Sequence, residues 1–168
     1  MLKFKALFAA SVIALASSAN ASIVVGPNLP GTSPYSGPTP TYNFDGGAGN
    51  PSFSGGAIFS GSTGNHAQPF GSTGGYYAVG PSDGSPGTIS LASFGDIFSI
   101  SLLWGSIDNY NTLEFLDSSN NVLASFAGTS IFGPADGDQT DPTEDGTQDV
   151  DSATDRYVGF YATAGVVF

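Results

Sequence analysis

The chain has 168 residues, with 3 Lys or Arg against 14 Asp or Glu, a formal net charge of −11 and no Cys. That balance argues against nucleic acid and anionic membrane surfaces as partners, because both repel an acidic surface. The lack of thiols excludes disulfide stapling, cysteine nucleophiles and thiolate metal sites.

The length suits one ordinary domain. Gly (24) and Pro (11) are interleaved with a 40% hydrophobic fraction, which predicts a loop-rich all-β domain rather than a disordered chain. At the N-terminus, Lys3 and Lys5 precede an apolar run, Ala6 to Ala16, and then Ala19-Asn20-Ala21. Charge, apolar run and small-residue cleavage site in that order predict a secretory signal peptide over 1–21, with Ser22 starting the mature chain. The apolar run is too short for an ordinary transmembrane helix, which needs about 20 residues. Cleavage would leave Arg156 as the single Lys or Arg against 14 acids, a net charge of −13.

Residues 22–40 open on Ile23-Val24-Val25 and continue through Pro27, Pro30, Pro34, Pro38 and Pro40. Proline at this density predicts an extended arm or linker with a brief edge strand at its start. From residue 41 a domain is expected to run to 168. Tyr42 and Phe44 alternate up to a turn at Asp45-Gly46-Gly47. Ser52 to Ser60 reads as one strand interrupted by a bulge at Gly55-Gly56. Gly61 to Gly75 reads as a loop carrying the single histidine, His66, as an exposed residue. Tyr76 to Val79 is a short strand, Pro81 to Pro86 a turn and Thr88 to Ala92 a strand.

The run from Asp96 to Asp117 holds the single Trp. Phe98, Ile100, Leu102 and Trp104 share one apolar face and alternate with Ser99, Ser101 and Leu103, close to the period of a half-buried strand. Thr112 to Asp117 and Val122 to Ala127 form a hairpin about Ser118 to Asn121, with Thr129 to Phe132 continuing the second strand. Residues 133–155 form a long acidic loop. Arg156 to Ala162 is a strand with Val158 and Phe160 facing opposite to Tyr157 and Tyr161. No helix is expected beyond the signal peptide. Many short strands predict a single antiparallel β-sandwich or jelly-roll-like domain lacking its last strands.

Several segments carry a resemblance: HAQPFGSTGGYYAVG (66–80), GTISL (87–91), LLWGSIDNYNTLEFLD (102–117) and DRYVGFY (155–161), behind a signal peptide. Together they resemble the exosortase-associated, PEP-CTERM-type surface proteins of Gram-negative bacteria over roughly residues 41–162. The most specific piece is WGS-x-D-x-YNTL, Trp104 to Leu113. The resemblance implies export and a cell-surface or extracellular role linked to exopolysaccharide, with other surface proteins as further partners, and no known catalytic activity. Members of that family end in a Pro-Glu-Pro motif, an apolar helix and an arginine cluster; here nothing follows Phe168. That departure predicts either a truncated chain or a released variant, and the strand-like Gly165 to Phe168 favours truncation.

Two groups of residues are candidates for binding. Trp104 and Tyr110 have rings that stack on a sugar, and Asp108 and Asn111 have groups that hydrogen-bond its hydroxyls. The alternative is a turn, in which Asp and Asn bond their own backbone while Trp104 enters the core. The acidic loop contains Asp136, Asp138, Asp141, Glu144 and Asp145, hard oxygen ligands suited to calcium. Its spacing fails the EF-hand register, since the required Gly position after Asp136 holds Asp141. Calcium is therefore the one cofactor left open. A serine-type triad or a zinc centre has a single His to draw on and no GxSxG elbow. A glycoside hydrolase pair among Asp108, Glu114 and Asp117 is the remote enzymatic reading. The expected protein is non-enzymatic: structural or adhesive at the envelope, or else a carbohydrate-binding module.

Overall fold

The computed structural model describes residues 22–31, 36–46, 51–63, 66–133, 135, 137 and 154–163. The signal region 1–21 and the calcium candidates Asp136, Asp138, Asp141, Glu144 and Asp145 lie outside the described residues.

Alternation of apolar and polar side chains decides the central element. Strand β9 (Arg156–Ala162) is the middle of a three-stranded antiparallel sheet, flanked by β1 (Ile23–Pro30) and β6 (Ser99–Trp104). Val158 and Phe160 are fully buried, while Tyr161 on the opposite face is exposed. This is the two-faced pattern that period-2 alternation demands. On the buried face of β6, Ile100, Leu102 and Trp104 pack against the core, as their spacing predicts. Phe98 does not join them: the strand begins at Ser99 and Phe98 is exposed.

The edge strand expected to be brief runs eight residues, and it pairs with β9 from Ile23↔Ala162 to Pro30↔Arg156. The register shifts between Val25 and Asn28, across Gly26-Pro27. Proline has no N–H to donate, so a bulge on an edge strand accommodates it. Residues 23–30 are thus part of the sheet rather than a linker.

Over the buried face lies the hairpin of β7 (Thr112–Leu116) and β8 (Val122–Ala127). Phe115 and Phe126 meet Phe160 at ring-centroid distances of 4.9 and 5.0 Å. Ile23, Ile107, Ile131 and Val158 belong to the same core cluster. Burying each such side chain contributes about 1.5–3 kcal/mol. Beyond Ala127 the expected strand gives way to a single helical turn, α1 (Gly128–Ile131). The turn is closed by Phe132 N–H to the Gly128 carbonyl at 2.9 Å and by the Ser130 hydroxyl to the Ala127 carbonyl at 2.6 Å. It carries Ile131 into the core.

Two smaller ladders stand beside this layer. Strand β2 (Ser52–Ser54) pairs with β5 (Thr88–Ser90), and β3 (Ala57–Ser60) with β4 (Gly75–Ala78). The Gly55-Gly56 step is a break between two strands, not a bulge within one. Both glycines have left-handed φ, 65° and 59°. A Cβ on Gly55 would come within 2.7 Å of the Gly84 carbonyl oxygen, and on Gly56 the same distance from that of Ala78. A second aromatic cluster, Tyr42, Phe44, Phe53 and Tyr77, joins the two ladders with neighbouring centroids 5.0–6.2 Å apart. The described chain is all-β apart from α1 and one 3-10 turn at Ala92–Phe94. No helix among the described residues is long and apolar enough to cross a membrane.

Candidate functional site

The joint between β6 and β7 is where the sequence concentrates its polar candidates. Trp104 ends β6, half-buried, in register with Arg156 of β9. The next residue must be glycine for lack of room: a Cβ at Gly105 would sit 2.9–3.0 Å from Pro69. Ser106 then takes a left-handed φ of 50° and donates its N–H to the Asp155 carboxylate. Ile107, fully buried, pins the joint to the core. Its N–H donates to the Thr154 carbonyl (3.2 Å) and its carbonyl accepts from Gly137 N–H (3.0 Å).

Asp108 to Asn111 is a closed turn. Asn111 N–H donates to the Asp108 carbonyl (3.2 Å), Asp108 N–H donates to Asn111 Oδ1 (2.8 Å), and the Asn111 carbonyl accepts from Gly128 N–H (2.9 Å). The structure thus brings Asp108, Tyr110 and Asn111 into one turn and leaves Trp104 in the layer below, packed on the core. Asn111 spends its side-chain oxygen on the turn, as Asx chemistry favours. Tyr110 is 67% exposed. Asp108 is only 7% exposed, and neither of its carboxylate oxygens receives a hydrogen bond from a described residue.

Two carboxylates of the hydrolase reading have other duties. Asp117 sits at the β7–β8 turn and accepts from Ser119 N–H (2.8 Å), Asn121 N–H (2.9 Å) and Asn121 Nδ2 (2.9 Å). The Asn121 contacts, its side chain first, hold the Asp117 carboxyl below the usual carboxylate range. Glu114 lies on the exposed side of β7. Among the described residues no three His, Cys, Asp or Glu cluster in a way that holds a metal.

Sequence reasoning missed three residues that organise this region. Asp155, counted in the acidic loop, is 2% exposed. Its carboxylate accepts from the N–H groups of Phe70 and Ser106, and its carbonyl from Gly31 N–H at 2.7 Å. Its position directly before an alternating strand was the available signal. His66, expected to be exposed, is half-buried: Nε2 lies 2.7 Å from Asp83 Oδ2, Nδ1 lies 3.2 Å from the Thr63 hydroxyl, and the ring stacks on Phe59 at 3.8 Å. This array ties the 61–75 loop to the 81–86 turn. Arg156 donates to the side chain and carbonyl of Asn28 (2.8 and 3.0 Å) and lies over the Phe132 ring. Burial draws its guanidinium pKa down.

Comparison with protein-family models, curated proteins and solved structures finds no match for this chain.

Proposed function

We propose that this is a secreted or cell-surface protein without catalytic activity, structural or adhesive at the envelope or in the extracellular polysaccharide matrix of a Gram-negative bacterium. The signal-peptide pattern at 1–21 and the resemblance around Trp104 to Leu113 support export. One observation supports adhesion. The outer face of the β1–β9–β6 sheet displays Val24, Leu29 and Tyr161, all exposed. Tyr161 lies flat across two glycines, since a Cβ on Gly26 would overlap its ring and one on Gly159 would sit 3.0 Å from it. A ring laid along a sheet presents its face outward, an amphipathic surface suited to the apolar face of a sugar. The net charge of −11 turns this face toward neutral polymers.

The test expresses the full chain in a Gram-negative host. Export with cleavage gives a product whose N-terminal residue is Ser22, recovered with the surface polysaccharide fraction. The double variant Val24→Thr/Leu29→Thr keeps strand propensity but removes apolar surface, and is expected to be exported yet poorly retained. A product that keeps Met1 inside the cell sinks the export reading. Equal retention of the double variant sinks the adhesive one.

A carbohydrate-binding module is the second reading, favoured by the display of Tyr110 beside the Asp108–Asn111 turn. A glycan array run with Tyr110→Ser separates the two: loss of a defined glycan signal supports the module, and no signal from either form removes it.

A further inference from the structure

We infer that the open edge of β6 pairs with the same edge of a second copy of this chain, joining two sheets into one. The ladder fixes which backbone groups face that edge. Ala162 N–H donates to the Phe98 carbonyl at 2.8 Å, and the register runs on to Trp104↔Arg156. Bonded and non-bonded pairs alternate along an antiparallel ladder. Phe98, Ile100, Leu102 and Trp104 therefore turn their N–H and C=O groups toward β9, and Ser99, Ser101 and Leu103 turn theirs away. Strand β9 is the one strand paired with β6, and no hydrogen bond joins those outward groups to any other described residue. Ser99 and Ser101 are exposed.

The opposite edge of the sheet is blunted. Strand β1 carries Pro27 and Pro30, and its register shifts between Val25 and Asn28. Proline, bulges and charge are the usual means of keeping a sheet edge from pairing. Strand β6 has none of them: no Pro, Asp, Glu, Lys or Arg occurs from Ile97 to Ile107. The β6 edge is also self-complementary. Set antiparallel about Ser101, two copies place Ser101 opposite Ser101 and Ser99 opposite Leu103, so each outward N–H and C=O meets its counterpart. The same register sets Ile100 opposite Leu102, and Phe98 opposite Trp104, on the core side of the sheet. Phe98 is 58% exposed, although alternation puts it in line with Ile100. Across the pair it gains an aromatic neighbour, a cross-strand contact that stabilises sheets. One strand thus supplies both halves of the match, which makes a second copy the occupant. The pairing is isologous, uses up the edge and closes at a dimer, with both outer faces turned the same way. It stands independently of what those faces bind. A strand this short makes less than a permanent interface, and a net charge of −11 on each copy opposes approach. The dimer therefore depends on protein concentration and on salt.

Sedimentation equilibrium of the purified chain tests the pairing. Wild type is expected to pass from the monomer mass to twice that mass as its concentration rises, and to do so earlier at about 0.1 M than at about 0.01 M sodium chloride. Ser101→Pro removes an N–H that β9 does not use and is expected to weaken association about tenfold or more. Should it fail to fold, Ser101→Lys, which sets like charges directly opposite while lowering the overall charge, is expected to give the same loss. Val24→Thr/Leu29→Thr alters the outer face and is expected to dimerise as wild type does. A wild type monomeric at every concentration overturns the pairing, as does a mass climbing beyond the dimer. So does a Ser101 variant that dimerises as wild type does, or a dimer that only Val24→Thr/Leu29→Thr abolishes. Hydrogen exchange at the Ser99, Ser101 and Leu103 amides identifies the occupant. Protection gained on dimerisation supports the pairing. Protection already present in the monomer shows that another segment of the same chain covers the edge, and overturns it.

Discussion

Asp155 and Asp108 are both acidic and both buried, yet they stand in opposite electrostatic situations. Asp155 collects two backbone N–H donors from segments far apart in sequence, Phe70 and Ser106. Replacing it by Asn keeps the size but puts an amide donor where an N–H needs an acceptor. Hydrogen bonds to a charged group are each worth about 1.5–3 kcal/mol, so Asp155→Asn is expected to cost roughly 3 kcal/mol. The readout is a lower urea midpoint at unchanged slope; an unmoved midpoint would show that the clasp contributes nothing. Tyr76 gives a smaller and pH-dependent case. Its hydroxyl donates to the Gly61 carbonyl at 3.0 Å, and Tyr76→Phe is expected to cost about 1 kcal/mol at neutral pH. Burial, and then the Asp83 carboxylate, push its phenol up. A raised folded-state pKa means stability that is complete below the unfolded value, about 10, and lost as pH rises through the folded one. Wild type should therefore lose stability in alkali more steeply than Tyr76→Phe, measured by melts at rising pH.

At the scale of elements, the strands were legible where alternation is clean. Arg156 to Ala162 and Val122 to Ala127 have the bounds their pattern predicts, and the hairpin turns at Ser118 to Asn121. Departures arise where a tertiary contact overrides local pattern. Gly55-Gly56 breaks a strand because neighbouring carbonyls approach both positions. Gly128 starts a helical turn because the chain passes against the Asp108 carbonyl. The pairing of Ile23 with Ala162 joins residues nearly a chain length apart, which no local signal encodes. The candidate site divides the same way: the Asp108–Asn111 turn follows from Asx chemistry, whereas the close approach of Gly137 to the Asp108 carboxylate is a tertiary contact that no local signal encodes. The hairpin also yields a prediction. The Asp117 carboxyl is held low by Asn121 and Ser119. A depressed folded-state pKa contributes stability above the unfolded value, about 3.9, that is lost as pH falls through the folded one. Asp117→Asn should flatten the melting-temperature profile below about pH 4 and leave its shape unchanged nearer neutrality.

For the whole molecule, charge is the unbalanced quantity. A net charge of −11 faces a single Lys or Arg among the described residues, Arg156, whose donors go to Asn28. Like charges at this imbalance repel across the folded surface and relax when the chain expands. The Debye length falls from about 30 Å at 0.01 M salt to about 10 Å at 0.1 M, so repulsion between distant carboxylates is screened across that interval. Sodium chloride raised over the same range is expected to stabilise the fold by about 1 kcal/mol, a rise of about 3 °C for a chain this long. A chain stabilised by exposed ion pairs would move the other way, because screening weakens attraction. A melting temperature that falls with salt would therefore show that attractive pairs outweigh repulsion.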